Sequence, residues 1–374
     1  MSLNEKKSSN SISNPGSNDS ALTIRNLLLL AIPLALALRW FEANPILVFC
    51  AGLLAIYPLA EIMAEATESL SATLGPTIGG LLNASLNNAP EIIIAMFALK
   101  NGLWEVVKAS ITGSILVELL FGLGLAMFLG GLKHGTQIFD EKAIQISGGL
   151  LTLCGFGLII PSIFHLASPK AEIELSREIS AILLLVYCAN LAITVFGKPA
   201  TPAGGVSQAV PEELPPPWSR SKSMTILTVA TLALAFISEV VTDAIEPTSK
   251  QLGLTPLFSG IILLAGAGGV GEIISASRFA RNNKMDLTIE ATIGSSIQMI
   301  LLAVPLLIFS APLMNVNLNL LFSPVEVSAV VLTIIIIRSL TSDGRSTWIE
   351  GLMLLAVYFM LGIGFYHLPA TGGG

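Results

Sequence analysis

The sequence is short of charge. Asp, Glu, Lys and Arg supply only 12% of its 374 residues, against about 25% in an average soluble domain. With 53% hydrophobic residues and a mean hydropathy of +0.78, it is not the composition of a water-soluble fold. An integral membrane protein is expected. Basic residues are outnumbered 19 to 25, for a net charge of −6, and they are scattered. That leaves no basic face for nucleic acid. The three cysteines, Cys50, Cys154 and Cys188, lie in apolar stretches without a CxxC pair, which excludes a disulfide framework or a zinc site. They read as core packing residues. His134, His165 and His367 fall near the ends of apolar runs. A His-based metal centre is excluded, and no Ser/His, Asp/Asp or His/Glu constellation recurs at membrane depth, so no enzyme activity and no cofactor are expected. The first apolar stretch, 27–41, ends at Arg39-Trp40-Phe41 without a small-residue cleavage pattern and reads as a retained helix.

What the chain has in abundance is apolar runs of spanning length, about 20 residues each. Eleven are expected, at 24–42, 45–66, 75–99, 104–130, 146–166, 177–197, 223–245, 256–279, 287–311, 322–338 and 347–367. Residues 1–23 are polar and rich in Ser and Asn, the composition of a disordered tail. The segment 198–222 is rich in Pro, Gly and Ala and reads as a linker between two halves, 45–197 and 223–367, followed by a short tail, 368–374. Six basic residues (Arg39, Lys100, Lys108, Lys170, Arg177 and Lys250) fall outside or within spans and the other 13 of 19 fall inside if the N-terminus is cytoplasmic. The expected orientation is N-terminus in, C-terminus out.

The two halves resemble each other. A shift of 181 residues places Glu91 on Glu272, Ile92-Ile93 on Ile273-Ile274, Lys100-Asn101 on Arg281-Asn282, Glu105 on Asp286 and Gly113-Ser114 on Gly294-Ser295. With a three-residue adjustment, Glu61, Glu65 and Glu68 fall on Glu239, Asp243 and Glu246. An odd number of spans, five, separates equivalent helices, so the second copy enters the membrane inverted. Inverted repeats are a transporter architecture with the site at their interface near the midplane.

Glu91 and Glu272 each lie halfway along an apolar span, where an acidic residue costs about 2.5–3.5 kcal/mol, and no Lys or Arg sits one turn away. Such an anion must face water, hold a proton or bind a cation. A permanently protonated acid bonded to a backbone carbonyl is the bland alternative, weakened by the symmetry of the pair. Asn83, Asn87, Asn88 and Pro90 surround the first acid and Gly266–Gly271 precede the second. Both compositions weaken a helix and free carbonyls as ligands. Carboxylates, carbonyls and amides suit a hard cation such as Ca²⁺, which takes 6 to 8 oxygens at about 2.3–2.6 Å. The following spans contribute Ser110, Thr112 and Ser114, and Thr292, Ser295, Ser296 and Gln298; the hydroxyls serve equally well as close-packing residues, and Gln298 is the better candidate ligand. The acidic ladders at i, i+4, i+7 collect cations at a cavity mouth or mark span ends in water, the latter preferred for Glu68 and Glu246.

With these residues assembled, the chain resembles the calcium/proton exchangers of the cation/calcium exchanger superfamily over residues 24–367, most strongly in LGPTIGGLLNAS (74–85), FALKNGLWEVVKASITGSIL (97–116), LSREISAILLLVY (175–187), NKMDLTIEATIGSSIQ (283–298) and DGRSTWIEGLMLLAVY (343–358). The resemblance implies an all-α protein of eleven transmembrane helices, one leading helix plus two inverted five-helix repeats. Each repeat of that family holds a Gly-Asn-Ala-x-Glu signature whose glutamate binds Ca²⁺ and protons in turn. Carried over, Glu91, Glu272 and Asn88 fill signature positions, and Ser114, Ser295 and Gln298 also match. The departures are Asn87 for glycine, Pro90, Gly269 for the second asparagine, and Val117-Glu118 where Gly-Asn is usual. One amide ligand is lost and one carboxylate, Glu118, gained. The expected function is Ca²⁺ exchange for H⁺, both substrates, in a lipid bilayer, expected to be a bacterial cytoplasmic membrane; whether the chain forms a homo-oligomer is left open. The alternatives are another divalent cation such as Mn²⁺, Na⁺ coupling, or a non-transporting cation-binding scaffold.

Overall fold

The computed structural model describes residues 25–86, 88–165, 171–196 and 218–369. The tail 1–23, Asn87, 198–217 of the linker and 370–374 of the second tail lie outside the described residues. Apart from two short strands, the described elements are helices. In chain order they are α1 (Ala31–Trp40), α2 (Pro45–Leu74), α3 (Pro76–Leu86), α4 (Ala89–Lys100), α5 (Trp104–His134), α6 (Glu141–His165), α7 (Glu172–Phe196), α8 (Arg220–Leu252), α9 (Pro256–Gly268), α10 (Val270–Arg281), α11 (Met285–Met314), α12 (Pro324–Thr341) and α13 (Trp348–Tyr366). Among the described residues eight of these are long and apolar enough to cross a bilayer, and the pair α9–α10, bent by 57°, makes a ninth.

Local chemistry starts the helices where they start. Pro45, Pro256 and Pro324 occupy first helical positions, where the missing N–H is no loss. The Asn44 side chain accepts from the Ile46 N–H at 2.9 Å. Ser323 with Glu326, and Thr347 with Glu350, form reciprocal capping boxes. α8 ends at Gly253 with φ +67°, the left-handed conformation that glycine adopts without steric cost.

The helices pack through small residues, because lipid offers no hydrophobic drive for helices to associate and close backbone approach supplies the attraction instead. α2 and α8 form the most extensive pair. They run antiparallel, Gly52 lying against Val241 near one end and Ser223 donating to Ser69 at 3.0 Å near the other. α5 crosses α9 backbone to backbone: a Cβ at Gly113 would sit 2.5 Å from the Ile261 Cα, and one at Gly260 would meet Ala109 and the Val106 carbonyl. α5 and α11 are the enclosed centre of the bundle, with 72% and 67% of their spanning windows buried against 17–50% for the other long helices. Strands β1 (Gln137–Ile138) and β2 (Arg345–Ser346) pair antiparallel and pin two loops on one face.

Two expectations change. Cys154 is buried as expected, but Cys50 and Cys188 are exposed on the outside of the bundle. An apolar run that spans a bilayer is apolar on its lipid face too, so hydrophobic surroundings in sequence do not imply a core position. The acidic ladders are largely neutralised: Arg25 pairs with Glu65, Arg278 with Glu61, Arg39 with Asp243 and Lys250 with Glu246. Arg25 lies just before α1 and Arg39 near its end, so this one segment reaches equivalent rungs on α2 and α8.

Candidate functional site

Both halves break a helix just before their acid. α3 gives way to α4 at Asn88, which caps α4 with φ −96° and ψ 19°, and Glu91 stands in the first turn. α9 bends into α10 at Gly269, φ −81° and ψ 5°, and Glu272 stands in the first turn of α10. Pro90 reinforces the first break, since it fits a helix start but not an interior. Each glutamate therefore sits at a half-helix N-terminus, where unsatisfied N–H groups favour negative charge.

The halves meet at these acids. The Glu91 side chain lies against Gly268, four residues before Glu272: a Cβ at 268 would stand 3.0 Å from Glu91 Cγ and 3.3 Å from Oε1. Only glycine leaves the acid its place. Glu91 is 6% exposed, and among the described residues neither carboxylate oxygen has a hydrogen-bond donor. Glu272 Oε2 and Gln298 Oε1 are likewise enclosed and without a donor. Four buried acceptor oxygens thus lack partners, an unstable arrangement unless protons or a cation satisfy them.

A cavity of about 20 Å³ adjoins Glu91, lined by Ser110, Ser114, Leu264, Ala265, Gly268 and Met299 among others. That is room for one water-sized body. Across the interface Asn88 and Ser295 bond twice, Ser295 Oγ donating to Asn88 Oδ1 at 2.8 Å and Asn88 Nδ2 to the Ser295 carbonyl at 3.4 Å. Glu118, on a π-helical stretch of α5 (Val117–Gly122), accepts from Ser296 Oγ at 2.6 Å and Ser295 Oγ at 3.4 Å. Further π-helical turns at Ser259–Leu264, Glu290–Gly294 and Met299–Ala303 flank the same region; such bulges cluster at functional sites because they re-aim side chains. Among the described residues no three His, Cys, Asp or Glu side chains close around one point as a metal cage. The acids form a shared neighbourhood, not a finished coordination sphere.

Glu91, Asn88, Ser114, Glu118 and Ser295 lie at the junction of the halves, while Glu272 stands just past the second break and Gln298 three residues after Ser295 on α11. Asn87 lies outside the described residues, as does the side chain of Asn83. Ser110 lines the cavity, whereas Thr112 faces away and donates to Glu326 at 3.2 Å. Sequence reasoning placed Gly268 in the second break without its contact to Glu91, and missed Met299, which lines the cavity beside Glu91. The repeat offset could have exposed Met299, which stands 181 residues after Glu118.

An all-helical membrane protein with broken helices, each bringing an acid to a common interior, is a class seen in ion transport. A sequence model of the family described as sodium/calcium exchanger protein matches residues 44–196 and 222–366. The chain belongs to that family. It is 36% identical over 359 residues to the Ca²⁺/H⁺ antiporter of Aphanothece halophytica, covering 92% of this chain and 96% of that one. It is 36% identical over 333 residues to the Ca²⁺/H⁺ antiporter ChaA of Bacillus subtilis (strain 168), covering 88% and 94%. The crystal structure of the Ca²⁺/H⁺ antiporter protein YfkE is similar to this fold with a TM-score of 0.79 at 33% identity, covering 92% of this chain and 99% of that one.

Proposed function

We propose that the chain is a secondary antiporter that exchanges Ca²⁺ for H⁺ across a membrane, with Glu91 and Glu272 as the residues that hold either substrate. The observation that carries this reading is the set of buried, donorless carboxylate oxygens contributed by both halves at their junction. Their relatives' names, Ca²⁺/H⁺ antiporters, agree with it. The reading takes Asn88, Ser114, Ser295 and Gln298 as neutral oxygen donors around the acids, with Glu118 a further carboxylate beside them. Each acid oxygen can take a proton or a cation, not both at once. Binding Ca²⁺ therefore releases protons, and protonation releases Ca²⁺, which is the competition an exchanger needs.

The architecture proposed for this exchange has eleven crossings. To the nine above it adds α1, as the leading crossing within 24–42, and the broken pair α3–α4; the rest divides into inverted repeats 45–197 and 223–367 joined by 198–222. The N-terminus is placed inside and the C-terminus outside, in a bacterial cytoplasmic membrane. Sliding of the helices in 45–99 and 223–279 against the remainder carries the site from one face to the other. No resident cofactor takes part.

The test is Ca²⁺ uptake into everted vesicles under an imposed pH gradient. Wild-type uptake and its loss in both Glu91→Gln and Glu272→Gln support the reading; retained uptake in both variants removes the site. Uptake driven only by a Na⁺ gradient would assign Na⁺ coupling instead, and Ca²⁺ binding without flux under either gradient would mark a non-transporting cation-binding protein.

A further inference from the structure

Glu118 has no acidic counterpart in the other half. The position 181 residues on is Met299, which lines the cavity beside Glu91. Glu118 is 1% exposed, and among the described residues no Lys, Arg or His forms an ion pair with it. Ser296 holds Oε2 at 2.6 Å and so fixes the carboxylate. Oε1 is less committed. Ser295 has one hydroxyl proton and two acceptors for it, Asn88 Oδ1 at 2.8 Å and Glu118 Oε1 at 3.4 Å. When the proton goes to the nearer Asn88, Glu118 Oε1 is left without a donor. A separate observation adds further acceptors: among the described residues both oxygens of Glu91 and Oε1 of Gln298, on residues each 6% exposed, have no partner.

We propose that Glu118 is the specificity-determining residue of this exchanger. It adds a carboxylate beside the Asn88–Ser295 contact and biases the site toward small divalent cations such as Mn²⁺ over large ones such as Sr²⁺. The inference rests on the reading that Glu91 and Glu272 form the exchange site. Attraction to a carboxylate grows as the ion's centre comes closer, so each added negative charge benefits a small ion more than a large one of equal charge. Charge count among oxygen ligands is also what tunes cation affinity in protein sites generally.

The experiment measures competition of Mn²⁺ and Sr²⁺ against radioactive Ca²⁺ in pH-gradient-driven uptake by proteoliposomes. It compares wild type with Glu118→Gln, which keeps the shape and an acceptor for Ser296, and Glu118→Met, which copies the opposite half. The same competition is read from equilibrium displacement of bound Ca²⁺ on detergent-purified protein, which needs no transport. In wild type Mn²⁺ competes more strongly than Sr²⁺, and in both variants the Sr²⁺ inhibition constant divided by that of Mn²⁺ falls about tenfold, on the scale by which ligand charge tunes such sites. An unchanged ratio in Glu118→Gln overturns the proposal, as does loss of all Ca²⁺ binding in that variant, which would make Glu118 structural. A wild type that binds Ca²⁺ but shows no flux sinks the exchange reading, while the displacement ratio still decides the role of Glu118.

Discussion

The two halves carry the same acid at the same break and surround it differently. On the Glu91 side the break residue is Asn88, tied twice to Ser295 across the junction, and the adjoining cavity is walled by Leu264, Ala265 and Met299 with two serine hydroxyls. On the Glu272 side the break residue is Gly269, with no side chain, and the carboxylate of Glu118 on α5 is held by Ser295 and Ser296 of α11. On the proposed reading, a chain that keeps the position of the acids and lets their settings diverge holds fixed what exchange requires. The settings are where selectivity and affinity can be adjusted.

The largest effect expected from breaking this comparison is loss of both acids' chemistry. Glu91→Gln and Glu272→Gln each reduce Ca²⁺ flux by more than the ~10–100-fold that changes outside a first coordination shell cost, measured in the vesicle assay. Next comes the close crossing that sets the junction. Gly113→Leu places a side chain where Ile261 and Ala265 already stand, and overpacking of this kind costs about 1–3 kcal/mol or more; thermal melting in detergent reports it, with Gly266→Ala, which meets open space, as the silent control.

Smaller effects sharpen the asymmetry. Asn88→Ala removes both bonds to Ser295, a loss of about 1–3 kcal/mol for buried groups left unpaired, and the melting temperature falls accordingly. Gly269→Asn copies the first half into the second. A Cβ there meets only ordinary contacts, the Ala265 carbonyl and Val117 Cγ1 at 3.6 Å, so the variant folds with a smaller melting shift than Asn88→Ala and its Ca²⁺ affinity rises. The smallest effect is Arg39→Ala. Its ion pair with Asp243 joins side chains that are 42% and 41% exposed, and exposed pairs contribute about 0.2–1 kcal/mol.

Much of this was legible in the sequence because membrane depth makes polarity expensive. Glu91 and Glu272 stood out against apolar runs, the offset of 181 paired them, and Asn88, Pro90 and Gly269 marked the breaks. The enclosed helices α5 and α11 were those carrying Gly113-Ser114 and Gly294-Ser295. What was not legible depends on contacts distant in sequence. The acidic ladders on α2 and α8 look like free carboxylates until Arg25 and Arg39 are brought beside them across 40 and 204 residues. Cys50 and Cys188 look interior because lipid-facing and core-facing positions share one composition. Glu326, 4% exposed, was overlooked, although Ser323-Pro324 three residues before it is the signature of the capping box that holds it. Met299 is an ordinary apolar residue in sequence and takes on meaning only opposite Glu118.

The most direct test is the anomalous-scattering position of Ca²⁺ in crystals of the wild-type chain. The account predicts a single site bonded to a carboxylate oxygen of Glu91 and to one of Glu272, each at about 2.3–2.6 Å. A Ca²⁺ ion bound to only one of these acids, or held on the ladders of α2 and α8 with the junction left untouched, would contradict it.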